Sequence, residues 1–358
     1  MTEQVLNQQP NQVNEPRHSK KKKKSKRILG KVIFTLLVMI IFVSMGFTIK
    51  ISFDKIKEQN EKIEELNKLN SEMEKLIPTG EYIYEEDLKN KTIQYGVSIS
   101  LFQKLFPENA VFFGKNGINF MPINESLPKN NLDKNSFKQD EEEGFIYFNE
   151  KNGKKAKKGI DVSTFQKEIN WKKVKESGID FAIIRCGFRG YHQGKLVEDS
   201  MFRKNIEGAL NNDIDVGVYF FSQAVSEMEA REEAEFVYEL IKEYNITYPV
   251  IFDMEEIADD NYRTEDLIQE ERTNIALSFC EQIEKYGYTP MIYGNIYWLL
   301  ENYDIEKIMK YDIWFAQYQK NLYFPYEIDM WQYTHKGRVD GIEGDVDFNL
   351  CFKDYTKK

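Results

Sequence analysis

Eight short apolar runs recur between residues 159 and 349: GIDVS, FAIIRCGF, VGVYFFSQ, YPVIFDMEE, TPMIYGN, YDIWFAQY, IDMWQYT and DVDFN. Their length and their β-branched or aromatic character suit strands, several of them buried on both faces. Segments between them, including residues 230–244 and 273–286, carry apolar residues at helical spacing. Strands that alternate with helices form parallel βα units. Eight such strands predict an α/β fold closed into a barrel. The last three runs lie too close together for full helices, so the barrel is expected to be irregular there.

The fourth run carries the sharpest chemical signal. Val250, Ile251 and Phe252 are apolar, and Asp253, Glu255 and Glu256 follow almost at once. A strand continuing to Glu255 places Asp253 and Glu255 on the same side, because side chains alternate with period 2. Like charges held close push their pKa values apart, which suits acid/base work. The string D-x-E is common, and two further copies, Asp140/Glu142 and Asp304/Glu306, read as solvated surface.

In a βα barrel the active site lies at the C-terminal ends of the strands. The distinctive polar and aromatic residues fall there, run by run: Asp161, Ser163 and Gln166; Arg185 and Arg189; Tyr219 and Ser222; Asp253 and Glu255; Tyr293; Trp314 and Gln317; Trp331 and Gln332; Asp345, Asp347 and Asn349. Each alone has a structural reading as cap, ion pair or core. Together they describe an acidic cleft lined with rings. Cleavage of a glycosidic bond needs a protonated carboxyl at the leaving oxygen, a second group to stabilise an oxocarbenium-like state, and rings to hold sugars.

Composition narrows the partners. A net charge of −10 argues against a general nucleic-acid binder, which needs a basic face. Three cysteines (Cys186, Cys280, Cys351) are widely spaced without C-x-x-C, and there are only three histidines. Neither a zinc site, a redox motif nor a His-based metal site is indicated, and buried structural thiols are expected.

Ahead of the barrel the chain changes character several times. Residues 1–27 are a polar tail ending in a basic block, Lys20 to Arg27. Residues 28–50 contain the charge-free stretch 32–49 (VIFTLLVMIIFVSMGFTI), which approaches the length of a membrane-spanning helix. No small-residue cleavage site follows it, so an uncleaved single-pass anchor is expected, with the basic block cytoplasmic and the remainder extracytoplasmic. Residues 51–78 place Ile56, Ile63, Asn70 and Ile77 seven apart, with Leu66 and Met73 at the matching positions. That is either a solvated helical stalk or a short coiled coil that would pair two copies. Residues 79–150 hold short strand-like runs between Gly, Asn and Pro turns, as expected of a small β-rich spacer or a wall-contacting module. Residues 151–358 form the barrel.

The barrel sequence resembles a known family. GIDVSTFQ (residues 159–166), IIRCG, VYFFS, VIFDMEE, MIYGN, IWFAQY, MWQY and GIEGDVDFN (residues 341–349) follow in order the pattern of glycoside hydrolase family 25, the N-acetylmuramidases or Chalaropsis-type lysozymes. The resemblance covers about residues 157–355. It implies an irregular (β/α)5(β)3 barrel, a peptidoglycan substrate cut after N-acetylmuramic acid, and no cofactor or metal. By position it implies Glu255 as general acid/base and Asp253 as the residue orienting the substrate's N-acetyl group. Asp161, Asp347, Tyr219, Tyr293, Trp314 and Trp331 match its cleft positions and would bind substrate; Arg185 and Gln317 are expected to do so from their place at the strand ends. Two positions depart from the pattern: Phe165 stands where Trp, Tyr or His is usual, and Phe220 where His is common. The alternative from another class is a barrel that holds peptidoglycan without cutting it; the intact Asp253/Glu255 pair argues against that.

Overall fold

The computed structural model describes residues 50, 51, 54–57, 59–64, 68 and 99–357, apart from 116, 141–143, 258–260 and 320. It divides into two compact units, Met1–Leu101 and Phe102–Lys358. In the first, the described residues are helical; those up to residue 68 are exposed, whereas Leu101 is buried. Ile56 and Ile63 are about half exposed, and Lys57 pairs with Glu61 one turn on. The apolar stretch 32–49 lies outside the described residues; among those described, no helix is long and apolar enough to cross a membrane.

The second unit opens with two hairpins. Strand β1 (Asn109–Gly114) pairs with β2 (Gly117–Pro122), and β3 (Phe137–Gln139) with β4 (Ile146–Phe148), both antiparallel. The barrel strands follow: β5 (Lys157–Val162), β6 (Phe181–Arg189), β8 (Asp215–Phe221), β9 (Val250–Asp253), β10 (Pro290–Asn295), β11 (Asp312–Ala316), β12 (Met330–Gly337) and β13 (Val346–Cys351). A short β7 (Leu196–Glu198) lies antiparallel on the outer half of β6. Pairing runs β5-β13-β12-β11-β10-β9-β8-β6 and returns from β6 to β5, which closes eight strands into a ring. All eight runs read from the sequence are these strands. Helices Trp171–Glu176, Phe202–Leu210, Glu227–Ile241, Gln269–Lys285 and Ile305–Ile308 occupy the first five connections. The last three strands are joined by loops.

One strand reverses. β13 runs antiparallel to both neighbours. Only residues 338–345 separate it from β12, too few for the crossover that a parallel pair requires. Because it runs backwards, its first residues lie at the rim where the other strands end, and Asp347 pairs in register with Asp161.

Two apolar layers follow from period-2 alternation along the strands. Outward residues such as Ile160, Val218, Phe220, Phe252, Ile292 and Phe348 pack under the helices. Inward residues Phe181, Ile183, Ile251, Met291, Trp314 and Met330 fill the lumen. At the closed end Phe181 stacks on Tyr248 at 4.5 Å. A side chain on Gly159 would meet the Phe181 ring at 2.2 Å, so this position has no room for a Cβ. The lumen is plugged below and polar above.

The first hairpins are not a separate spacer. Ala110, Phe112, Phe145, Ile146 and Phe148 belong to the same buried cluster as the outer barrel face. Phe145 stacks on Phe348 at 4.4 Å, and Phe137 meets Trp331 edge-on at 5.5 Å. The compact unit therefore begins at Phe102 rather than at residue 151: the β3/β4 hairpin finds its cover on β12 and β13, and β1 bonds to the loop between β11 and β12.

Candidate active site

Four carboxylates converge at the open end of the lumen. Asp161 ends β5, Asp253 ends β9, Glu255 lies two residues on, and Asp347 enters from β13. Asp161 is the hub. Its Oδ2 accepts N–H bonds from Gln332 Nε2 (2.9 Å) and Asn349 Nδ2 (2.8 Å). Each amide is itself oriented. The Gln332 carbonyl accepts from the hydroxyls of Tyr293 (2.9 Å) and Tyr318 (2.8 Å), and the Asn349 carbonyl from the indole of Trp314 (2.8 Å). The indole of Trp314 and the tyrosine hydroxyls occupy the two amide carbonyls, so both amides present N–H to Asp161 and hold it as an acceptor.

Burial raises all four acids, and mutual charge adds to it at Asp253, Glu255 and Asp347. Burial pushes Asp161 to about 6, opposed by its two amide donors. Glu255 rises to about 7 through burial and then the charge of Asp161. Asp347 rises to about 8 from the same two causes. Asp253 is held well above the carboxylate range by burial, then by Glu255 and Asp161; Arg185 works against this. Asp161 is thus the first of the four to lose its proton, and its charge adds to burial in keeping the others protonated. Asp253 is 4% exposed, and its Oδ1 has no hydrogen-bond partner. A buried acceptor left open is costly, so this atom has capacity for one further hydrogen bond.

Most residues expected at the rim are there. Tyr219, Tyr293 and Trp314 face the lumen, Trp314 lying edge-on to Tyr293 at 4.7 Å and to Tyr219 at 6.3 Å. The Arg185 Nε donates to Asp199 at 2.7 Å, and its charge acts on Asp253 and Tyr219. Asp199 also accepts the backbone N–H groups of Thr164 and Met201, so it ties Arg185 to the loop after β5. There Ser163 and Gln166 form a reciprocal cap, and Phe165 stands 75% exposed with the Arg185 guanidinium 5.2 Å over its ring. Phe220 faces the outer core, so the departure at that position does not reach the cleft.

Two expectations are corrected. Trp331 is buried on the outside of β12 against Phe137, with its indole donating to the Gln317 carbonyl at 3.0 Å. Alternation gives the lumen to Gln332 instead. Gln317 spends its side chain on its own loop, accepting from the Tyr323 N–H at 2.8 Å. Tyr318 was not anticipated; it sits beyond the end of β11, where no strand period applies. The three cysteines are buried, unpaired thiols. Among the described residues no group of three acidic, His or Cys side chains is arranged to hold a metal ion.

The sequence profile of Glycosyl hydrolases family 25 matches residues 160–342, just over half of the chain. The chain belongs to glycosyl hydrolases family 25. The match takes in Asp161, Asp253, Glu255 and Gln332 and stops short of Asp347 and Asn349, which β13 adds. Relatives of this family 25 chain include YegX of Escherichia coli strain K12, 29% identical over 203 residues, covering 54% of this chain and 68% of that protein. The autolytic lysozyme of Clostridium acetobutylicum is 23% identical over 195 residues, covering 54% of this chain and 55% of that protein. Among solved structures, the modular autolysin LytC from Streptococcus pneumoniae, in complex with a synthetic peptidoglycan ligand, matches at 25% identity and a TM-score of 0.50, over 68% of this chain and 56% of LytC. The chain spans about half the length of the lysozyme and of LytC.

Proposed function

We propose that this family 25 hydrolase cleaves the β-1,4 bond between N-acetylmuramic acid and N-acetylglucosamine in peptidoglycan. The observation that carries this reading is the paired environment at the end of β9. Glu255 titrates at about 7, so it is protonated in part at neutral pH, and the buried Oδ1 of Asp253 is open. Glu255 donates its proton to the glycosidic oxygen as the bond breaks. Asp253 accepts the N–H of the substrate's N-acetyl group and aims the acetyl carbonyl at the anomeric carbon. The ionised Asp161 lies beneath the cationic transition state, where its charge is worth most in a site of low dielectric. Water then attacks, with the Glu255 carboxylate as base. The lumen rings Tyr219, Tyr293 and Trp314 form the floor of the sugar site. Kinship with an autolytic lysozyme and with a peptidoglycan-bound autolysin supports the substrate class.

The test is to incubate the chain with purified peptidoglycan and identify new reducing ends by mass spectrometry. Muramic-acid ends are expected, and Glu255→Gln should lower their rate by roughly 10²–10⁴-fold with folding intact. Glucosamine ends would overturn the bond assignment. Wall binding without new ends would favour a non-catalytic scaffold.

We further read residues 32–49 as an anchor that keeps the barrel on the outer side of the membrane, on the strength of their length without a charge and the basic block before them. On fractionation the full-length chain is then expected with membranes. Full-length chain free in the medium would contradict the anchor.

A further inference from the structure

Residues 102–150 precede the family match, yet they grip the loop between β11 and β12. The Val111 N–H donates to the Tyr323 hydroxyl at 3.0 Å, and that hydroxyl donates on to the Asn109 carbonyl at 3.3 Å. The Asn124 N–H donates to the Tyr326 hydroxyl at 2.9 Å. Two backbone bonds join the same pair of segments: Asn130 N–H to Pro325 O at 3.1 Å, and Glu327 N–H to Pro128 O at 2.9 Å. Lys129 lies over the Tyr326 ring at 5.3 Å, and Tyr326 is 2% exposed.

The far end of that loop reaches the active site. Tyr318, 48% exposed, donates its hydroxyl to Gln332, which in turn donates to Asp161. Within the loop the Gln317 side chain accepts the Tyr323 N–H. Tyr323 therefore has two partners on opposite sides. Its hydroxyl is held by β1, and its backbone holds Gln317, the neighbour of Tyr318.

We propose that residues 102–150 are part of the catalytic unit and that Tyr323 is a positioning residue, fastening the β11–β12 loop to β1 so that Tyr318 stays seated on Gln332 and Asp161. The proposal rests on the hydrolase reading of the same site. Fixing a loop backbone costs conformational entropy, which contacts at its far side must offset. Without the Tyr323 hydroxyl the loop keeps its chain path and its other bonds but loses its tie to β1 at the residue that holds the Gln317 side chain. A phenol that wanders no longer fixes the Gln332 amide, and Asp161 loses a constant donor. The effect should appear in kcat more than in KM, because the hub acts on the reacting carboxylates.

The test uses full-length chain carrying Tyr323→Phe, Tyr318→Phe and both. Tyr323→Phe should lower kcat/KM by about 2–10-fold, the range of one neutral hydrogen bond, with the melting temperature nearly unchanged. In the Tyr318→Phe background the same change should cost nothing more, since both act through one path. Amide hydrogen exchange across residues 317–328 should quicken in Tyr323→Phe. Additive losses, or a melting shift with unchanged kcat, would overturn the proposal. If wild-type chain releases no fragments, the hydrolase reading fails first. The exchange measurement then still decides whether Tyr323 holds the loop.

Discussion

At the residue scale the site turns on the order in which four acids release their protons. Asp161 goes first because two amides favour its charged form, and Glu255 follows near neutrality. Protons leave such a cluster in steps that belong to the group as a whole. The pH profile of kcat/KM is therefore expected to peak between about 6 and 7, rising as Asp161 ionises and falling as Glu255 does. Asp161→Asn removes the charge that holds Glu255 up. Its falling limb should move to lower pH, and activity at pH 7 should drop by roughly tenfold or more. A falling limb left at the wild-type position would remove Asp161 from this role. The carboxylates were legible in the sequence, since acidic residues rarely close an apolar strand without cause. The amides were named at the rim but not placed among the binding residues, and Tyr318 was not seen at all. A loop residue has no period that assigns its face.

At the element scale β12 shows where sequence reading loses its footing. Met330, Trp331, Gln332 and Tyr333 alternate between lumen and outer core, but both sides of a barrel strand are buried. A tryptophan can fill either, so the string MWQY does not say which neighbour faces in. Pairing with β11 and β13 decides it, by putting Gln332 beside Ala316 and Asn349. The two positions should then fail in different ways. Trp331→Ala should cost about 3–5 kcal/mol in unfolding free energy, as expected for a buried tryptophan. Gln332→Ala should depress kcat with far less loss of stability. Denaturant unfolding alongside steady-state kinetics would check both, and a Trp331→Ala chain of full stability would contradict the packing. The reversal of β13 was available in principle, because its short connection excludes a crossover.

At the scale of the whole molecule, the barrel strands and the two long helices were legible because apolar runs repeat with two distinct periods; the count of five helices came only with the family resemblance. The role of residues 102–150 was not. Their strands are short, and only the outer faces of β12 and β13 and the loop between β11 and β12 show what they pack against. The ring closes between its first and last strands. Asp161 and Asn349 stand 188 positions apart and are joined by one hydrogen bond. Contacts this distant form late, since the loop they close must be brought together before anything rewards it. The Asp161 hub is thus complete only when β13 docks. A chain still emerging, or cut before its final strand, has Asp161 without the Asn349 amide that holds it as an acceptor, and lacks Asp347 altogether. On the proposed reading, a chain lacking β13 is expected to be inactive.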